Sequence, residues 1–206
     1  MTLKLFHAPG SCSLAALLAL EEVGADYEVV RMDLRAADQQ RPEYLALNPK
    51  GRVPALATAQ GVLTENIAIL GWIAQTWPEK ALAPADPFGF AQAQAFNGYL
   101  ASTVHVAYAH RWRPYRWADE AACRQHLQDL APEKFAATLQ PIEDGMLDGP
   151  WVMGESFTTC DLYLFVFTDW LEGVGIDPAW FPRLHDHRER VRARPAVRKV
   201  LAQHTG

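Results

Sequence analysis

Apolar and polar positions change their rhythm along this chain, mixed over the first 80 residues and helical afterwards. Leu3 to Phe6 is a short apolar run that predicts a strand. Residues 12 to 23 set Leu14, Leu17, Leu18 and Leu20 on a wide apolar face, with Glu21 and Glu22 toward water. That is the spacing of an amphipathic helix, and Gly24 reads as its stop. Tyr27 to Met32, YEVVRM, is rich in β-formers and predicts a second strand. The polar stretch ADQQRPEYLALNPKG holds one short helix near Tyr44 to Leu47. VPALAT and VLT flank the turn signal Gln60-Gly61 and predict a hairpin. Asn66 to Trp77 repeats Ile67, Leu70, Ile73 and Ala74 at helical spacing and ends at Pro78. The order β-α-β-loop-β-β-α describes a compact α/β layer.

From residue 80 the pattern predicts helices over 89–112, 119–145, 159–171 and 183–203. YLFVF at 163–167 is strand-like in composition, but it lies inside a longer helical segment behind a good cap, so it reads as a buried helix. The Pro- and Ala-rich KALAPADPFG reads as a linker. The expected organisation is an α/β domain over 1–80, a linker over 81–88 and an all-helical domain over 89–206. A length of 206 residues accommodates both. A net charge of −5 argues against nucleic acid or an anionic membrane as partner. No apolar run approaches the roughly 18 residues of a membrane span. MTLKLFHAPG lacks the apolar core of a secretory signal, so a cytoplasmic location is expected. Cys12, Cys123 and Cys160 are odd in number and far apart, which argues against a disulfide framework or a paired-cysteine zinc site.

Several pieces carry candidate chemistry. Cys12 follows a Pro-Gly turn and precedes a helix that Ser11 or Ser13 could cap. Helix dipole and backbone N–H groups stabilise a thiolate there, while a small buried thiol fits equally. In NPKGRVPAL, Pro54 opens a strand. By frequency alone its bond is trans, whereas a cis bond would turn the Val53 backbone outward for an extended peptide to pair with. In TENIAIL, Asn66 is a good cap, and Glu65 could accept a ligand ammonium beside N–H groups that bind carboxylates. Thr158 and Asp161 form a T-x-x-D cap, a folding device. His105 lies mid-helix, and such a residue is usually structural. The basic, aromatic stretch from Tyr108 to Trp117 is too short, in an acidic chain, to read as a nucleic-acid site. HDHRERVRARPAVRKVL reads as a solvated helix face, and His185 and His187 as surface residues rather than metal ligands.

Together LFHAPGSCSLAALLALEEVG, YLALNPKGRVPAL, LTENIAIL, FTTCDLYLF and RVRARPAV resemble the glutathione transferase family, most of all its bacterial beta class. The resemblance covers nearly the whole chain. It implies a thioredoxin-like N-terminal domain, an all-α C-terminal domain and a homodimer. It also implies glutathione as co-substrate, no metal, and conjugation to small hydrophobic electrophiles, a detoxification reaction. Cys12 falls on the cysteine that faces the glutathione sulfur, and Arg52, Val53 and Pro54 on the segment that pairs with the tripeptide, where the family's proline is cis. Glu65 and Asn66 fall on the pair that holds its γ-glutamyl end, and His105 on a histidine reaching in from the second domain. Ser11, Cys12 and His105 are the expected catalytic set, with Ser11, Cys12 and the helix start lowering a thiol pKa or trapping the sulfur. The aromatic-rich start of the second domain is expected to shape an apolar half-site. His7 replaces a tyrosine usual in the class. Val106 replaces a lysine that often follows the histidine, which removes a cation near the sulfur. Two alternatives share this site: a disulfide or peroxide reductase using Cys12, and a non-catalytic binding protein.

Overall fold

A computed structural model describes residues 2–204. Strands β1 (Leu3–His7), β2 (Tyr27–Arg31), β3 (Ala55–Thr58) and β4 (Gly61–Thr64) form one sheet in the order β2-β1-β3-β4. β1 and β2 are parallel, with Leu5 opposite Val29. β3 runs antiparallel to both β1 and β4, with Leu56 opposite Leu5 and Leu63. The hairpin turns where Gln60-Gly61 predicts it, Gly61 taking φ 136, which a side chain would resist.

Helix α1 (Leu14–Val23) buries every residue from Leu14 to Leu20, more than one amphipathic stripe requires. The reason is its place between the sheet on one side and later helices on the other. Gly24 ends it at φ 70, its amide returning to the Glu21 carbonyl. A short α2 (Pro42–Leu47) leads to the Val53 turn, and α3 (Asn66–Thr76) packs beside α1.

The helical half departs from its periodic pattern in two places. Residues 89–112 predict one helix. The chain forms α4 (Pro87–Tyr99), one wide π turn (Leu100–Val104) and α5 (His105–Trp112) without a break. Apolar spacing is too coarse to register one extra residue, although such turns often mark functional sites. A second π turn (Ile142–Met146) closes α6 (Ala121–Pro141). Helix α7 (Thr159–Asp169) is buried from Thr159 to Thr168 and packs against α1 and α3. Its cap is the one predicted. Asp161, fully buried, accepts from the Thr158 amide at 2.7 Å, the Val152 amide at 2.8 Å and His187 Nε2 at 2.9 Å.

The C-terminal basic segment requires a correction. It is two helices, α8 (Pro182–Arg192) and α9 (Pro195–His204), because Pro195 lacks the N–H a continuous helix needs. Most of its cations pair with acids, several while still partly exposed. Arg188 is buried beside Glu172 at 3.0 Å, and Arg192 meets Asp169 at 2.5 Å. Arg194 bonds both oxygens of Glu22 and lies 3.6 Å from the Phe157 ring centre, while Lys199 meets Glu21 at 2.6 Å. His185 is exposed, but His187 is fully buried on Asp161. Among the described residues no helix is long and apolar enough to cross a membrane, and no cluster of three or more metal-ligating side chains occurs.

Candidate functional site

The loop after β1 is organised by hydroxyls. Ser13 stands at the N-cap of α1, yet neither serine caps the helix. Ser13 Oγ accepts from the Ala8 amide at 3.1 Å and faces His7 Nδ1 at 2.8 Å and Ser11 Oγ at 2.7 Å. Ser11 Oγ donates to the Ala8 carbonyl at 2.8 Å. Ser11 is therefore committed to the loop and not aimed at a sulfur. His7 is buried, and burial first, then the charges of His204 and Arg31, hold its pKa down to about 4. It is neutral and fixes the loop through Ser13.

Of the two readings the sequence leaves open for Cys12, the structure favours the small buried thiol over the stabilised thiolate. Burial pushes its pKa up to about 11, against a smaller opposing pull from Arg113, while Glu65 raises it further. Desolvation of the charged form outweighs both the helix start and the guanidinium, so Cys12 is a thiol at neutral pH. Its Sγ lies 3.7 Å from the Val53 carbonyl oxygen.

The Val53-Pro54 bond is cis, as the resemblance implies and frequency alone does not. Both residues precede β3 and stay outside its pairing, at the sheet end that carries Cys12. The carbonyl of Arg52 is pinned by Tyr44 Oη at 2.6 Å and Asn48 Nδ2 at 2.7 Å.

Glu65, not Asn66, is the N-cap residue of α3, and its side chain makes no cap bond. It sits at φ 71, which a residue with a Cβ rarely adopts. Its exposed carboxylate meets Lys50 Nζ at 2.5 Å. Asn66 reaches instead across to α1, donating from Nδ2 to the Cys12 carbonyl at 2.9 Å, while its buried Oδ1 has no partner among the described residues. The first N–H groups of α3 lack intrahelical acceptors, as at any helix start.

Over this end of the sheet opens a cleft of about 250 Å³ lined by Arg52, Ala101, His105, Val106, Ala109, Arg113, Arg116 and Trp117. Ala101, His105, Ala109 and Arg113 recur every four residues, from the π turn through α5 to the residue just past it, and all four line the cleft. Arg113 Nη2 lies 3.3 Å from His105 Nε2. A guanidinium only donates, so Nε2 accepts and the ring proton is on Nδ1. Burial, then Arg113, Arg52 and Arg116, hold the His105 pKa down to about 4. The His105 ring packs on Phe167 and Trp170, both with centroids at 5.7 Å. The cation missing at Val106 thus has a counterpart in Arg113, whose field reaches Cys12. The expected apolar half-site is half basic.

Comparisons with known proteins agree with this geometry. Residues 1–75 match the family model for the glutathione S-transferase N-terminal domain, and residues 105–195 match that for its C-terminal domain. The chain belongs to the glutathione S-transferase family. It is 30% identical over 203 residues to glutathione S-transferase GstA of Escherichia coli O157:H7, covering 97% of this chain and 98% of that one. A glutathione transferase homologue from Sulfitobacter, solved with bound glutathione, superposes with TM-score 0.94 at 41% identity over 98% of both chains. The bacterial beta class transferase of Sphingomonas chungbukensis superposes with TM-score 0.85 at 34% identity over 97% of both.

The site brings Cys12, Arg52, Val53, Pro54, Asn66 and His105 together and leaves Glu65 on its exposed rim. Arg113, Arg116 and Tyr163 escape the sequence reading. Tyr163, buried on α7, is held above its ordinary pKa by burial first and also feels Cys12 and Glu65. The four-residue spacing from Ala101 to Arg113 is the signal that could have exposed Arg113.

Proposed function

We propose that this transferase joins the sulfur of reduced glutathione to small hydrophobic electrophiles. The observation that carries the reading is the meeting of Cys12, the cis Val53-Pro54 turn and the start of α3 beneath a cleft holding His105 and Arg113. An extended tripeptide pairs its central residue with the Val53 backbone. Its γ-glutamyl carboxylate takes the N–H groups opening α3, and its ammonium takes Glu65. Cys12 remains protonated and turns its S–H from the Val53 carbonyl toward the glutathione sulfur. Arg113 favours the thiolate over the thiol.

The proton of the glutathione thiol passes to solvent, while Cys12 keeps its own. The thiolate then attacks the electrophilic carbon, a C–S bond forms, and a halide leaving group departs with the bonding pair. His105 is a positioning residue here, because its Nε2 lone pair is occupied by Arg113 and its low pKa makes it a poor base. Ser11 shapes the loop. In this reading residues 1–80 carry the tripeptide, 89–206 shape the electrophile site, and 81–88, whose last two residues already open α4, join them. A homodimer belongs to it as well, on the strength of the likeness to the family. A reducing, cytoplasmic setting is supported by three free cysteines.

Calorimetric titration with reduced glutathione, followed by conjugation assays with aryl halides, epoxides and isothiocyanates, tests the reading. Micromolar-to-millimolar binding and turnover above the spontaneous rate are expected. Absence of binding overturns it.

A further inference from the structure

Three guanidinium groups converge on the cleft, from Arg52, Arg113 and Arg116. Among the described residues none that lines the cleft is acidic, and none of the three arginines forms an ion pair with a carboxylate. The convergence is built by local structure. Arg113 directly follows α5, and a 3-10 turn over Pro114–Arg116 comes next, closed by the Arg116 amide on the Arg113 carbonyl at 3.1 Å. The turn is tight enough that Arg113 and Arg116 both line the cleft. Their mutual repulsion is registered at the site. Arg113 is held below its ordinary pKa by burial first and by Arg116 next. Positive charge gathered without an acid is a site for anions.

Glutathione supplies some of them, and a charge count shows how many. Its γ-glutamyl carboxylate and ammonium are taken at α3 and Glu65. The thiolate and the glycyl carboxylate remain. Arg113, whose field reaches Cys12, faces the thiolate, and Arg52, adjacent to Val53, is beside the tripeptide backbone. Arg116 is one cation more than glutathione uses. It lies on the exposed side of the cleft with Val106 and Trp117, which are 36% and 44% exposed and form an apolar surface next to it.

We propose that the second substrate is itself an anion, a small electrophile whose apolar body rests on Val106 and Trp117 and whose carboxylate is held by Arg116. This rests on the glutathione reading above and narrows it to a substrate class. Arg116 is then a specificity residue, and electrophiles without an anionic group use only the apolar part of the site.

The test uses the intact protein and two matched electrophiles: a chlorodinitrobenzene, and the chloronitrobenzoate in which carboxylate replaces one nitro group. The ratio of their kcat/KM values, each divided by its spontaneous rate, is measured in wild type, Arg116→Gln and Arg116→Lys. The glutathione conjugates of both are also titrated calorimetrically, which requires no turnover. Arg116→Gln is expected to lower the carboxylate preference about tenfold in both measurements, with Arg116→Lys retaining part of it. Added salt is expected to erode the wild-type preference. An unchanged ratio, or an equal loss for both electrophiles, overturns the proposal while conjugation stands, the second outcome showing that Arg116 serves glutathione. If glutathione itself does not bind, the functional reading falls and takes this proposal with it.

Discussion

Replacing His7 by asparagine isolates the proton linkage of the loop that carries Cys12. His7 is 2% exposed, and its pKa falls from 6.5 to about 4 on folding. Between those values the unfolded chain holds the proton and the folded chain does not. The slope of stability with pH is then positive. The contribution is fully present above pH 6.5 and is lost as pH falls toward 4. By pH 5 the loss amounts to about 2 kcal/mol, and by pH 4 to about 3 kcal/mol. Asparagine keeps a polar atom where Nδ1 meets Ser13 but does not titrate. It leaves a small cavity, which costs about 1–3 kcal/mol at every pH. Wild type is therefore the more stable protein at pH 7, and its advantage shrinks by about 2 kcal/mol at pH 5. Urea unfolding followed by tryptophan fluorescence, repeated across this range for both proteins, measures the gap. Every other titrating group is shared and cancels to first order. If the two stability curves run parallel from pH 7 to pH 5, His7 is not held neutral and the account of the loop is wrong.

The remaining predictions concern the sulfur, the cleft and the α7 cap. Cys12, with its pKa near 11, is expected to alkylate with iodoacetamide about a hundredfold more slowly at pH 7 than an ordinary exposed thiol. Site-resolved mass spectrometry with Cys123 as the internal reference measures this, and equal rates would contradict a protonated Cys12. Arg113→Gln is expected to raise the pKa of bound glutathione by about one unit and lower turnover at neutral pH about tenfold. The ultraviolet absorbance of the thiolate against pH reads the shift directly, and an unmoved titration would remove Arg113 from the chemistry. Asp161→Ala is expected to cost about 3–5 kcal/mol, because it strands the Thr158 and Val152 amides and His187 in the interior. A loss below about 1 kcal/mol by urea unfolding would show that the network is redundant.

What was legible in the sequence is what local rules govern. The leucine spacing of α1, the Gly24 stop, the hairpin at Gln60-Gly61 and the T-x-x-D cap of α7 each depend on neighbours a few residues away. The misreadings share an opposite property. Ser13 is a good cap by type, yet it turns to His7, and Asn66 turns to Cys12, 54 residues earlier in the chain. Ser13 Oγ is taken by His7, Ser11 and the Ala8 amide, whereas Asn66 falls one residue inside the helix, where its Nδ2 meets Cys12 and its Oδ1 caps nothing. The sequence leaves the thiol of Cys12 open between a stabilised thiolate and a small buried group for a related reason. A helix start is visible in sequence and favours the thiolate, whereas the burial that outweighs it is assembled from distant segments. The C-terminal arginines read as solvated because their acids, Glu22, Asp169 and Glu172, belong to other elements.

Arg113 shows how a charge can be replaced without its position being kept. Val106 follows His105 directly and carries no charge. Arg113 lies eight residues on from His105, just past the end of α5, and its longer side chain returns to His105 Nε2, with Ala109 between the two on the cleft wall. A helix advances about 1.5 Å per residue, so eight residues span about 12 Å. The small side chain at Ala109 leaves the groove along which an extended arginine covers part of that distance. A larger residue there would compete for the same space. Ala109→Leu is therefore expected to displace the guanidinium and mimic Arg113→Gln, raising the pKa of bound glutathione without removing any charged group. If Ala109→Leu binds glutathione with an unchanged thiol pKa, Arg113 reaches the sulfur by another path and the groove is incidental.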